Sequence, residues 1–488
     1  MSVAQTNLGQ ALHTDLYQLT MAQAYWKTGL IAEDACFYMH FRENPFKGGY
    51  TIACGMAQVA ELLENFAFTG GDLDWLGGLT TPTGAPLFEP RFLETLETLR
   101  LTLDIDAVPE GTVVFPYEPI IRVLGPIMQC QLIETALLNQ VNYQMLIATK
   151  AARVCQAAGG PVAEFGLRRA QGPAGGLYAS RAAVIGGCAS TSDVAAGRLF
   201  DLPVSGTHAH SWVMAHPDEL TAFRAFAEAS PENCVLLVDT YDTMNGVRNA
   251  ITVAHEMELC GHRLGGIRID SGDLAWLSIQ ARDLLDAAGL EYVRIVASND
   301  LDEQTIASLH EQGARIDSWG VGTKLVTAYD QPALPGVYKL SATRTPGARA
   351  WTPRIKVSEQ PRKSTFPGIL GLKRYFGPEG FMIGDMVYDQ ELSPVGDLII
   401  DPHDDLRRKD LSEGRAVELL EPLARNGALV WPVVSALEAQ ANTHASLEGL
   451  HPSNRRFLNP HSYPVGLDRR LHEQREDLIM AARGLKSL

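Results

Sequence analysis

From about residue 160 a series of short apolar runs each ends in a polar cluster, and the residue types in those clusters are those that handle anions. VAEFGLRRAQ ends at Arg168 and Arg169, and LPVSGTHAH carries Thr207 and His210. NCVLLVDTYD places Asp239 and Asp242, while GGIRIDSGD places Arg268, Asp270 and Asp273. YVRIVASND ends at Ser298, Asn299 and Asp300, and RIDSWGVGTK closes with Gly320, Gly322 and Thr323. Guanidinium groups grip phosphate or carboxylate bidentately. Hard carboxylate oxygens suit Mg²⁺. Glycines let backbone N–H groups approach phosphate oxygens. Together these groups are what a diphosphate-bearing substrate with a metal requires.

Each cluster also has a plainer reading. The G-x-G of WGVGTK is equally a tight strand-to-helix turn. For any single aspartate, capping a helix is about twice as common as holding a metal, so Asp270 or Ser271 could cap the helix that begins near Leu274. Arg168 and Arg169 could be a solvated or ion-paired edge. Arg268 is harder to dismiss, because it alternates with apolar Ile267 and Ile269 inside a strand. In SGTHAHSWVMAH the histidines 208, 210 and 216 admit three readings: packed core imidazoles, an H-x-H zinc site of a hydrolase, or one nucleophile that takes a phosphoryl group. The zinc reading expects more histidines at later strand ends, whereas His255, His262 and His310 fall in helix-like or helix-to-strand stretches.

The elements that position these groups follow from the rhythm. Strand, polar cluster and amphipathic helix recur in order, which is the βα pattern, and LAWLSIQARDLLDAAG carries apolar residues at helical spacing. The unbroken run Val235, Leu236, Leu237, Val238 suits strands buried on both faces, so a parallel, TIM-like barrel is the economical expectation for residues 151–340. In such a barrel the residues after each strand face one mouth, which brings the clusters together. Residues 1–150 read as a separate N-terminal α/β unit of short strands, such as FYMHF and GTVVFPYEPIIRVLGPIMQ, completed by similar strands at about 340–400. Residues 401–488 form a C-terminal extension.

Composition narrows the rest. A chain of 488 residues with 46% hydrophobic residues supports two or three packed units. The formal charge of −16 repels nucleic acid and anionic membranes, so an anionic substrate must meet a local basic pocket. Seven scattered cysteines without a C-x-x-C pair read as free thiols in a reducing compartment. With no apolar run near the roughly 18 residues that span a bilayer, and no leader-like N-terminus, the expected compartment is the cytoplasm.

Longer stretches then resemble a known family in order and spacing. HTDLYQLTMAQAYW, FRENPFKGGYTIACG, EFGLRRAQGP, SGTHAHSWV, VDTYDT, RIDSGDL, SNDLDE, GVGTKLVTAYDQPALPGVYKL and NPHSYPVGL are similar to the nicotinate phosphoribosyltransferases, across essentially the whole chain. The resemblance implies a two-domain fold assembled as a homodimer with shared active sites. It implies nicotinate, phosphoribosyl pyrophosphate and ATP as substrates, with Mg²⁺, in NAD salvage. By motif, Tyr17 and Thr207 would contact nicotinate, Arg268 would meet its carboxylate, His210 would be phosphorylated by ATP, and Thr323 would hold phosphoribosyl phosphate. Asp239 and Asp270 stand as the Mg²⁺ candidates. Two positions depart from the family pattern: His208, where an aliphatic residue is usual, and Asp193, where Asn is common. The sister nicotinamide enzymes fit the LYQLTM and GTHAHS segments less well.

Overall fold

The computed structural model describes residues 10–360, 363–392, 394–430 and 433–485. It divides into two compact units, one of residues Met1–Met145, Ala333–Val434 and Asn442–Leu488, the other of Leu146–Pro332 with Ser435–Ala441. The expected C-terminal extension therefore falls in the first unit, apart from residues 435–441.

The first unit is built mainly on antiparallel pairing, with a parallel pair between Met382–Asp389 and Val465–Asp468. Its seven-stranded sheet has Asp34–Phe41 between Gly336–Arg344 and Ile121–Pro126. The sequence DACFYMHF is apolar at consecutive positions rather than alternate ones, and seven of its eight residues are buried, as a central strand covered on both faces requires. A second, six-stranded sheet pairs Leu370–Phe376 with Met382–Asp389 and packs Tyr375, Met386, Tyr388, Ile399 and Leu411 into one cluster.

The second unit holds a six-stranded parallel sheet. Its strands are β1 (Val162–Glu164), β2 (Ser190–Thr191), β3 (Val235–Leu237), β4 (Gly266–Ile269), β5 (Arg294–Asn299) and β6 (Ser318–Val321), in spatial order β2-β1-β6-β5-β4-β3. A helix, long or short, follows each of them: Gly172–Ile185, Val194–Phe200, Thr243–Leu259, Leu274–Ala287, Glu303–Glu311 and Thr323–Val326. An aspartate caps four of these helices. Asp193, Asp242, Asp273 and Asp302 each accept an N–H from the first helical turn, satisfying donors that a helix leaves unpaired. Gly246 shows how tightly helix and strand meet, since a Cβ there would lie 2.0 Å from the Val238 carbonyl oxygen.

Backbone pairing does not close this sheet into the expected barrel. Beyond β2 the chain continues the pairing through a Thr191–Val204 bridge, with Ser205 N donating to Thr191 O. Among the described residues no ladder then joins this segment to β3. The Leu237 N–H that a neighbouring carbonyl would take is bound instead by the His208 ring.

Candidate active site

The carboxyl ends of β3, β4 and β5 and the segment before the helix His210–Met214 converge on one hydrogen-bonded set. Arg268, the third residue of β4, is its centre. Its Nε donates to Ser298 Oγ (2.9 Å), Nη1 to Thr207 Oγ1 (2.7 Å) and Nη2 to Asp270 Oδ1 (3.2 Å). Ser298 in turn donates to Asp270 Oδ1 at 2.5 Å. The Arg268 side chain is only 14% exposed, so it is fixed by three partners yet keeps two N–H groups for a ligand.

His210 stands at the start of its helix with its side chain 40% exposed. Its Nδ1 lies 3.2 Å from Thr240 Oγ1, and Nε2 is 3.9 Å from Asp270 Oδ2, too far for a hydrogen bond. Nε2 is thus the nitrogen with an open side. Asp239 Oδ2 accepts from Asp270 N (2.9 Å) and Ser271 Oγ (2.6 Å), while its Oδ1 is buried without a partner. An uncommitted carboxylate oxygen fits a hard cation such as Mg²⁺, which takes one or two protein carboxylates and completes its shell with water and substrate. Asp270 fits less well, because one oxygen already accepts two donors.

Arg168 and Arg169 form a short turn after β1, both exposed, and among the described residues neither has an ion-pair partner. Buried Glu164 shapes that turn, accepting from Gly166 N and from the hydroxyls of Ser180 (2.9 Å) and Thr191 (2.7 Å). Asn299 ends β5 with φ 149°, a conformation non-glycine residues rarely hold and one often found at functional sites. Gly320 lies inside β6, where a Cβ would come within 2.7 Å of the Phe165 ring, so its bareness answers packing. Gly322 precedes the short helix Thr323–Val326 and brings Thr323 to the end of β6. Tyr17 belongs to the first unit, on the helix Leu16–Thr28, 49% exposed.

Several residues that matter here escape a reading of motifs. Thr240 and Ser271 each follow a candidate aspartate, Thr240 meeting the His210 ring and Ser271 donating to Asp239. Glu164 had a signal, a lone charge in the apolar run VAEF. The helix cap after β4 is Asp273, not Asp270 or Ser271, which frees Asp270 for the mouth. The H-x-H does not chelate, because His208 Nε2 is taken by Leu237 N–H; among the described residues the one group arranged as three metal ligands is Asp405, His472 and Glu476 in the first unit.

An arginine locked between a hydroxyl and two strand ends, a half-exposed imidazole and a carboxylate with one uncommitted oxygen form a candidate site of the class that binds anionic small molecules. Comparison with known proteins gives this class its family. Residues 12–142 match the nicotinate phosphoribosyltransferase N-terminal domain, 161–367 the nicotinate phosphoribosyltransferase family and 372–475 its C-terminal domain. The chain is 44% identical over 467 residues to the nicotinate phosphoribosyltransferase of Bacillus subtilis (strain 168), covering 94% of this chain and 92% of that one. The crystal structure of human nicotinic acid phosphoribosyltransferase superposes with a TM-score of 0.83 at 33% identity, covering 95% and 99% of the two chains. A nicotinate-nucleotide pyrophosphorylase from Pyrococcus furiosus shares the fold, with a TM-score of 0.70 at 21% identity and coverage of 92% and 98%. The chain belongs to the nicotinate phosphoribosyltransferase family and is an enzyme.

Proposed function

We propose that this enzyme joins nicotinate to phosphoribosyl pyrophosphate and couples the reaction to ATP hydrolysis through a phosphohistidine at His210. The ring nitrogen attacks C1 of the ribosyl group, its lone pair forming the N–C1 bond as the C1–O bond to pyrophosphate breaks. Nicotinate mononucleotide and pyrophosphate are the products. The observation that carries the reading is the Arg268 set, a buried guanidinium with donors to spare beside Thr207 at the strand ends. A fixed positive charge there favours a pyridine carboxylate over the neutral amide.

Thr207 orients Arg268 toward the carboxylate, with Tyr17 proposed as a further nicotinate contact. Arg168, Arg169, Asn299 and Thr323, with the close backbone at Gly320 and Gly322, hold phosphoribosyl pyrophosphate, and Ser298 keeps Asp270 and Arg268 in register. Mg²⁺ at Asp239, with Asp270 nearby, would neutralise the departing pyrophosphate. His210 Nε2 attacks the γ-phosphorus of ATP and ADP leaves; water later cleaves the P–N bond to give phosphate and the free imidazole. Thr240 holds the opposite nitrogen and so fixes the ring. We further propose that the enzyme works in the cytoplasm as a homodimer, without nucleic-acid or membrane partners; no helix among the described residues is long and apolar enough to cross a membrane.

Incubation of radiolabelled nicotinate with phosphoribosyl pyrophosphate and Mg²⁺, with and without ATP and with excess nicotinamide, tests this. Nicotinate mononucleotide that increases with ATP and resists nicotinamide is expected. Turnover of nicotinamide in place of nicotinate would overturn it.

A further inference from the structure

His208 is two residues from His210 yet sits in a different world. It is 7% exposed and packed against Phe226 (ring centroids 4.7 Å) and Phe223 (6.3 Å). It cannot act on a substrate, and its ring nitrogens are both engaged. Nε2 accepts from Leu237 N at 3.1 Å, and Nδ1 faces the Ala209 carbonyl oxygen at 3.3 Å. That arrangement needs the tautomer with hydrogen on Nδ1 and a lone pair on Nε2.

The place of this bond in the fold gives it a consequence. The segment from Val204 to Ala209 is tied on one side to β2 by backbone hydrogen bonds, Ser205 N to Thr191 O and Thr191 N to Pro203 O. On its other side lies β3, with which it shares no ladder. The two flanks of this seam carry opposite halves of the site: Thr207 and His210 on one, Asp239 and Thr240 on the other.

We propose that His208 is a positioning residue, a side-chain clasp that joins the Val204–Ala209 segment to β3 across the unpaired seam and thereby sets His210 against Thr240 and Asp270. A simple core histidine would need volume only; a clasp needs an acceptor at Nε2. Burial, then the nearby Arg268 and His210, lowers the pKa of His208 and keeps that lone pair available, against the opposing effect of the Ala209 carbonyl. The proposal rests on the reading of His210 as the phosphoryl acceptor.

Leucine fills the volume and removes the acceptor, whereas glutamine places an oxygen where Nε2 stood. His208→Leu and His208→Gln are therefore compared with wild type in two assays on the full-length enzyme. Amide hydrogen exchange of peptides covering residues 235–240 reads the clasp itself. ATP-stimulated turnover and phosphohistidine formation read its effect on His210. The Leu variant is expected to lose protection over 235–240 and about tenfold or more in ATP-stimulated kcat, with a smaller change in the KM for nicotinate, and the Gln variant to restore both. Protection and kcat both unchanged in the Leu variant, loss of one without the other, or a Gln variant no better than Leu would overturn the proposal. If wild type forms no phosphohistidine, the role of His210 falls, and exchange alone then decides the clasp.

Discussion

Carboxylates and arginines meet in both units, but on opposite terms. In the first unit Arg374 grips Asp385 through Nη2 at 2.6 Å, with Glu118 and Tyr463 closing the group, and Arg374, Asp385 and Glu118 are each no more than 1% exposed. Burial, and next the charge of Asp385, pushes the Glu118 carboxyl well above the usual carboxylate range. In the second unit Arg268, Asp270 and His210 are 14%, 28% and 40% exposed at the side chain, and Asp239 holds a carboxylate oxygen with no partner. Each cluster keeps one carboxylate oxygen without a hydrogen-bond partner, Glu118 Oε1 in the first and Asp239 Oδ1 in the second; the first is sealed from solvent, whereas the second opens to it. Access to solvent, rather than charge, distinguishes a site from a brace.

The sharpest way to break this contrast is at His210. His210→Ala should abolish ATPase activity, a fall of about 100-fold or more, while some ATP-independent transfer persists. Loss of transfer with ATPase intact would contradict the assignment. Next in size, Arg374→Met should lower stability by about 3–5 kcal/mol in denaturant unfolding, because it leaves Asp385 buried without its counter-charge. An unchanged midpoint would show that this cluster is not a brace. Arg268→Lys should raise the KM for nicotinate about 10- to 100-fold with little loss of stability, since lysine cannot reproduce the forked contacts to Ser298, Thr207 and Asp270.

The smallest expected effect concerns acid. Burial, followed by the charges of Arg42 and Lys339, pushes His40 in the first unit from its ordinary 6.5 down to about 3. A histidine held neutral in the fold but protonated when unfolded makes stability fall as pH drops below about 6.5, and only below the folded value does the loss stop. His40→Phe should therefore lose about 1 kcal/mol less than wild type between pH 7 and pH 5.5, read from urea midpoints. Equal losses would remove His40 from the account.

The same contrast explains what the sequence disclosed. The βα rhythm and the strand-end clusters were legible because a strand buried on both faces must be continuously apolar. Arg268 stood out among apolar neighbours. The aspartates did not separate by type, yet they do by spacing. Asp239 and Asp242, Asp270 and Asp273, and Asn299 and Asp302 each stand three apart, the first at the strand end and the second capping the helix. Hidden from any motif were the seam beside β3 and the bond from Leu237 to His208, since both depend on where two distant segments come to lie.

The central claim is that the solvent-open cluster of the second unit, through His210, accepts a phosphoryl group. Brief exposure of the enzyme to γ-³²P-labelled ATP, quenching in base and peptide mapping test it directly. Acid-labile, base-stable label on the peptide containing His210, absent from His210→Ala, is the predicted result; label elsewhere, or none while ATP is being hydrolysed, would contradict it.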